Sequence, residues 1–320
     1  MPSPGILPGR SSSAPPDPPL IFQDLPQTAY NATFLLETFT WRRGIRRDLL
    51  PLIQEALKDR YSVEREVARG GAGRVFLAFD QANQKVALKV LHPELAVSVT
   101  AERFLREIGV LSRLEHPLIT KLLDYGERNW LVYYTMSYAE GPTLRAHLDR
   151  VRRAMVDDVV RIARDLLAAL GYAHERGIMH RDVKPDNIIL SPEGAMLLDF
   201  GIAKAIEAAG TERLTKSGFT VGTSSYMSPE QVSALDSTDH RSDLYSLGCV
   251  LYESLAGQPP FTHRSEAMVL QMQLTAPPPD VRAHRPETPT TLAEVLMKAM
   301  EKNPAERWQS ADDMRKALMK

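Results

Sequence analysis

One cysteine, Cys249, occurs in 320 residues, so no disulfide can form within the chain, as suits a reducing compartment. It stands in Tyr245-Ser246-Leu247-Gly248-Cys249-Val250-Leu251-Tyr252, an apolar helix-like run in which a thiol packs rather than reacts. No apolar run reaches the length that crosses a bilayer, and Met1-Pro2-Ser3-Pro4-Gly5 lacks the charged and then apolar order of a secretion signal. Excess charge is missing as well. Lys and Arg number 39 against 40 Asp and Glu, a net charge of -1, which argues against nucleic acid or an anionic membrane as the main partner. No internal repeat is visible. The expectation is a soluble chain without a membrane segment, cytoplasmic in location.

What the chain does have is 43% hydrophobic residues, enough for a substantial core, and a length that fits one large or two ordinary domains. Residues 1–28 are crowded with Pro and Ser and read as a disordered tail. Residues 29–60 form an extension in which Phe34, Leu35, Leu36, Phe39 and Trp41 precede the basic pairs Arg42-Arg43 and Arg46-Arg47. Leu49, Leu52, Ile53, Ala56 and Leu57 then recur at helical spacing, which predicts a short amphipathic helix over about 48–58 with Pro51 in its first turn. Strand-like pieces follow at 61–68, 85–91, 118–125 and 130–136. Val159, Ile162, Ala163, Leu166, Leu167 and Leu170 then mark a long core helix closed by Gly177. Further helices are expected around 265–274, 291–302 and 310–319. Strands first and helices after predict an α+β fold, with a small strand-rich lobe and a larger helical one.

The chemistry gathers between His180 and Gly201. His180-Arg181-Asp182-Val183-Lys184-Pro185-Asp186-Asn187 leads into the apolar Ile188-Ile189-Leu190, and Asp199-Phe200-Gly201 follows. Polar groups on short loops between apolar strands are held still and presented together. Phosphoryl transfer wants this set, because positioning and charge neutralisation do most of its work. Asp199 and Asn187 offer the hard oxygen ligands that magnesium prefers, Asp182 can accept a proton from an attacking hydroxyl, and Lys184 faces the transferred phosphate.

His180-Arg181-Asp182 with Asn187, and Asp199-Phe200-Gly201, resemble the catalytic and metal-binding loops of the protein kinases. The resemblance covers 61–320 and implies a bilobal kinase-like fold with a sheet lobe at 61–136, a hinge at 137–140 and a helical lobe at 141–320. Arg69-Gly70-Gly71-Ala72-Gly73-Arg74-Val75 is similar to the family's glycine-rich loop, with Gly70, Gly71 and Gly73 near phosphate and Ala68 where the first glycine is usual. In Val86-Ala87-Leu88-Lys89, Lys89 resembles the third-strand lysine that grips the α- and β-phosphates and pairs with a helix glutamate, here Glu107, with Glu102 as the rival. Met136 resembles the residue at the back of the nucleotide pocket. Ser137 and Ala139 are implied as the adenine-reading connector, with Val75, Ala87 and Ile189 sandwiching the base.

The same resemblance implies ATP as cofactor with Mg2+, or Mn2+, held by Asn187 and Asp199, and Asp182, Lys184, Lys89 and Glu107 as the catalytic set. Lys184 two residues after Asp182 resembles the pattern of serine/threonine rather than tyrosine kinases, and Gly70-Gly71-Ala72-Gly73, Asp199-Phe200-Gly201-Ile202-Ala203 and Ser228-Pro229-Glu230-Gln231 look like the bacterial branch. Protein substrates are implied, and the chain itself as one of them, with a dimer as a possible arrangement for that self-reaction. Thr215, Ser217 and Thr220 are the expected phosphorylation sites, opposite Arg181. Thr223 is expected beside the substrate hydroxyl, Asp243 as acceptor for the catalytic-loop backbone, and Arg307 as partner of Glu230. Bacterial relatives often continue into a membrane helix, so a longer natural chain would be membrane-tethered. Two rival readings are a catalytically silent kinase-like scaffold, favoured only by Ala68, and a small-molecule phosphotransferase, disfavoured by Ser228-Pro229-Glu230.

Overall fold

In a computed structural model of the chain, the described residues are 49–70, 73–91, 101–129, 131–201, 223–233 and 238–319, without the side chains of 101–103 and 223. The expected tail, the apolar and arginine-rich stretch before Asp48, Gly71, Thr215, Ser217 and Thr220, and the side chains of Glu102 and Thr223 lie outside them.

The predicted extension helix forms as α1, Leu50–Leu57, with proline in its first turn and Ile53 and Leu57 fully buried. It packs on the first of five antiparallel strands. These are β1 (Ser62–Gly70), β2 (Gly73–Phe79), β3 (Lys85–Leu91), β4 (Leu122–Arg128) and β5 (Leu131–Ser137), in the order β1-β2-β3-β5-β4. The fourth strand starts at Leu122, later than its apolar lead-in suggests, because Leu118 to Lys121 serve the junction with the other lobe. There Ile119 bridges to Leu197, and the Thr120 N–H donates to the Leu197 carbonyl at 3.1 Å.

Antiparallel register sorts the strand side chains by face. Val75 stands opposite Lys89, and Lys89 opposite Tyr134, while Ala87 stands opposite Met136. This face meets helix α2 (Ala101–Gly109), whose Phe104 and Ile108 share a core with Leu91, Leu122, Val132, Tyr134 and Met136. The other face carries Tyr133 and Thr135, both without exposed surface. Arg60, just after α1, donates to the Tyr133 hydroxyl at 2.8 Å and pairs with Asp124 at 2.9 Å.

The helical lobe begins with α3 (Leu144–Val151) and α4 (Val156–His174). The periodic residues of α4, from Val159 to Ala173, face inward, and acids at Asp157 and Asp158 sit favourably at its N-terminal end. Gly177 takes φ +71 just beyond the helix, where the chain turns back toward the cleft. A two-stranded ribbon, β6 (Ile188–Ser191) and β7 (Gly194–Leu197), follows the polar loop. Then come α5 (Pro229–Val232), α6 (Arg241–Ala256), α7 (Glu266–Thr275), α8 (Thr290–Ala299) and α9 (Ala311–Ala317). Helix α6 is buried from Ser242 to Ala256, and Gly257 ends it in the left-handed conformation at φ +80. Burial pushes the Cys249 thiol up to about 12, which keeps it unreactive, as its apolar setting predicts. Among the described residues no helix is long and apolar enough to cross a membrane.

Candidate active site

The loop between α4 and β6 is tied down from below. Asp243, near the start of α6, is 2% exposed and accepts hydrogen bonds from the backbone N–H of His180 and of Arg181, each at 2.8 Å. His174 Nε2 lies 2.8 Å from the same carboxylate. Burial alone would raise the Asp243 pKa, but the hydrogen bonds from His174 and the loop backbone hold it below the ordinary carboxylate range. Arg181 is thereby held at φ +67, a conformation rare for a side chain of this size. Strain of this kind persists where the surroundings fix it, and it clusters at functional sites.

Above that anchor the polar groups converge. Asn187, 9% exposed, donates its amide N–H to the Asp182 carbonyl at 2.8 Å and to Asp182 Oδ2 at 2.9 Å. Lys184 Nζ stands 2.8 Å from the same Oδ2. Asp182 Oδ1 and the Asn187 amide oxygen accept no hydrogen bond among the described residues, so each can face a ligand. His180 is fully buried; its Nδ1 receives the Asp182 N–H at 3.2 Å, and its Nε2 lies 2.7 Å from the Leu198 carbonyl. The Phe200 ring packs edge-on against it at 4.7 Å.

Asp199 closes the site from the ribbon side, at φ +57. Its Oδ2 forms an ion pair with Lys89 from β3, and its Oδ1 accepts from the Tyr134 hydroxyl of β5 at 2.9 Å. Burial would raise the Asp199 pKa, but the charge and hydrogen bond of Lys89, with the phenol, hold it below the usual range. Burial, and then the Asp199 charge, push the Tyr134 phenol well above its ordinary value, so it stays protonated and donates.

The Lys89 pairing in this structure differs from the one expected. The resemblance implies Glu107 as the partner of Lys89, yet the ion pair that the structure forms is with Asp199. Glu107 is half-buried on α2 and keeps contact with water, whereas Lys89 is 8% exposed and must find a nearby anion. Asp199 supplies it across the cleft.

The remaining expected site residues fall on two sides of this centre. Val75, Ala87 and Ile189 are half-buried, the first two on the same sheet face as Lys89. Met136 is buried and borders a small apolar cavity with Leu111, Leu122, Tyr134 and Phe200. Ser137 accepts the Lys121 N–H through its hydroxyl at 3.0 Å, and Ala139 lies in the strand-free connector. Ala68 and Gly70 are exposed on β1, paired with Val75 and Gly73. At Gly73 a Cβ would come within 2.2 Å of the Val90 carbonyl oxygen, so this glycine is required by the β2–β3 approach itself.

Sequence reasoning missed three contacts. Tyr134 reads as an ordinary strand residue; only the need of a buried phenol for a partner points to Asp199. Arg145 of α3 forms a bidentate pair with Glu253 of α6, at 2.8 and 3.2 Å, with Tyr226 donating to the same carboxylate at 2.5 Å. Ser242 adds a hydrogen bond to Glu230, which Arg307 grips through both terminal nitrogens at 2.7 and 2.8 Å. The Arg307–Glu230 pair is the one the resemblance implies.

Cation binding is a question of donor chemistry. Asp199 and Asn187 offer one carboxylate and one amide oxygen, and among the described residues no group of three or more His, Cys, Asp or Glu side chains could hold a metal. Such a sparse oxygen set fits Mg2+, which keeps several waters and takes phosphate oxygens from its nucleotide.

The family model described as protein kinase domain matches residues 61–319. The serine/threonine-protein kinase PknB of Mycobacterium tuberculosis is 39% identical over 271 residues, covering 82% of this chain and 43% of its own length. PknB of Mycolicibacterium smegmatis is 40% identical over 277 residues, with 82% and 43% covered. The serine/threonine-protein kinase PknD of Mycobacterium tuberculosis is 40% identical over 258 residues, with 79% and 38% covered. The chain thus spans less than half the length of these relatives. With the two-lobed fold, the loop from His180 to Asn187 facing Asp199, and a match across most of its length, the chain belongs to the protein kinase family.

Proposed function

We propose that the chain is a serine/threonine protein kinase of the bacterial type, transferring the γ-phosphate of ATP to Ser and Thr hydroxyls of proteins. The observation that carries this reading is the convergence of Lys184 and Asn187 on one oxygen of Asp182, at 2.8 and 2.9 Å, while the other oxygen has no hydrogen bond among the described residues and is assigned here to an incoming hydroxyl. Asp182 orients that hydroxyl and takes its proton as the bond to phosphorus forms. Lys184 offers positive charge to the phosphoryl oxygens, and Lys89 reaches the α- and β-phosphates. Asn187 and Asp199 would hold the divalent cation, Mg2+ in the first instance, which neutralises phosphate charge when bound. Val75, Ala87, Ile189 and Met136 give the base an apolar slot. Autophosphorylation at Thr215, Ser217 or Thr220 belongs to the same reading, with the added phosphate paired to Arg181.

The test is incubation with labelled ATP and a protein acceptor, followed by phosphoamino acid analysis. Phosphoserine and phosphothreonine are expected, and Asp182→Asn should lower the transfer rate by about 10²- to 10⁴-fold. Nucleotide binding without transfer by the wild-type chain, or full transfer by Asp182→Asn, would overturn the reading.

A further inference from the structure

We infer that Tyr134 is a positioning residue for the cation site: its phenol keeps the Asp199 carboxylate in place when Lys89 leaves that carboxylate for the nucleotide. The inference rests on the proposed role of Asp199 as a cation ligand.

Three observations lead to it. First, the two oxygens of Asp199 have different partners, Lys89 on Oδ2 and the Tyr134 hydroxyl on Oδ1 at 2.9 Å. Second, Lys89 and Tyr134 are register partners on adjacent strands, and the ammonium lies 5.8 Å from the phenol ring centre. One strand pair therefore supplies both donors. Third, Asp199 sits at φ +57, a strained backbone that persists only where its surroundings hold it.

With nucleotide bound, the three N–H donors of Lys89 are shared with phosphate oxygens, which loosens its hold on Asp199. When its ammonium turns to phosphate oxygens, Oδ2 loses its donor and becomes available to a cation. Oδ1 keeps the phenol of Tyr134, which has no other hydrogen bond among the described residues and no exposed surface. The rings of Phe104 and Tyr134, 6.4 Å apart, hold the phenol where it is. A carboxylate with one oxygen anchored and one open is a pre-aimed ligand. Removing such an outer hydrogen bond typically weakens cation binding by about 10- to 100-fold.

The test is a titration of Mn2+ into the full chain with a saturating nonhydrolysable ATP analogue, with bound cation read by electron paramagnetic resonance. Wild type, Tyr134→Phe and Asp199→Asn are compared. Tyr134→Phe should weaken cation binding by about 10-fold or more, leave cation-free nucleotide binding unchanged, and melt cooperatively. In transfer assays its apparent KM for Mg2+ should rise while the rate at saturating Mg2+ is recovered. A cation affinity equal to wild type overturns the inference. So does a tighter one, which would make the phenol a competitor of the cation. A lowered rate with an unchanged KM for Mg2+ also overturns it, since it marks a merely structural loss. Should Asp199→Asn bind Mn2+ like wild type, the cation-ligand reading itself fails, whatever Tyr134→Phe does.

Discussion

The helical side of the cleft holds its charges in saturated buried networks, whereas the sheet side holds Lys89 in a single ion pair with Asp199. Below the loop, Asp243 is filled by two backbone N–H groups and His174. Glu230 is filled by Arg307 and Ser242, and Glu253 by Arg145 and Tyr226. None of these carboxylates can change partner without stranding a buried group, and stranding is what costs. Across the cleft, Lys89 pairs with Asp199, and Glu107 has no ion pair among the described residues. If nucleotide draws Lys89 from Asp199 to Glu107, the pairing on this side can exchange. Preorganisation therefore sits in the helical lobe, and any such adjustment between β3 and α2.

The sharpest way to break this contrast is Arg307→Ala. It leaves Glu230, 6% exposed, as a buried carboxylate with Ser242 alone, and the expected loss in urea denaturation is about 3–5 kcal/mol. An effect no larger than that of a surface residue would mean the helical side is not built on saturated pairs. Asp243→Asn comes next. Its amide keeps one acceptor but turns a donor toward one of the two loop N–H groups, which should cost about 1–3 kcal/mol and slow phosphate transfer, because the loop that carries Asp182 loses an anchor.

Acid should reveal the same asymmetry. Burial would raise the Glu230 pKa, but Arg307 and Ser242 hold it below its ordinary 4.5. A carboxylate depressed on folding gives stability that is fully present above its unfolded value and is lost as pH falls through the lower folded one. The wild-type chain should therefore lose stability in acid below about pH 4.5 as Glu230 takes up its proton. In Arg307→Ala burial is opposed only by the Ser242 and backbone hydrogen bonds, so this share of the acid sensitivity should shrink in melting scans across that range. An unchanged acid profile would detach Glu230 from the network.

Much of this was legible in the residues. Period-2 runs around Lys89 and period-3.6 runs from Val159 to Leu170 carried the two lobes, because each pattern has only one way to bury its apolar side. The loop from His180 to Asn187 was readable because its groups must cooperate within eight residues, so spacing alone constrains them. Long-range polar partners were harder. Arg145 finds Glu253 108 residues away, and nothing in either neighbourhood names the other. Lys89 shows the same limit in a different form: its residue type demands an anion, the helix sequence offered Glu107 with Glu102 as rival, and the structure pairs it with Asp199 instead. Tyr134 was hidden because a tyrosine in a strand needs no explanation until its hydroxyl is known to be buried.

Glu107→Gln is the smallest perturbation and the one that most sharpens the contrast. The substitution removes a charge that is half-buried and unpaired among the described residues, so folding stability should move by no more than about 0.5 kcal/mol. Transfer should respond differently. If Lys89 exchanges from Asp199 to Glu107 when nucleotide enters, Glu107→Gln removes a charge-assisted bond made only in the working arrangement. Such bonds are worth about 1.5–3 kcal/mol, which corresponds to roughly 10- to 100-fold in rate. A melting scan that does not move beside a transfer rate that falls would place the exchangeable partner on α2. An unchanged rate would instead make the Lys89–Asp199 pair the working one, and the sheet side of the cleft would then be as fixed as the helical side.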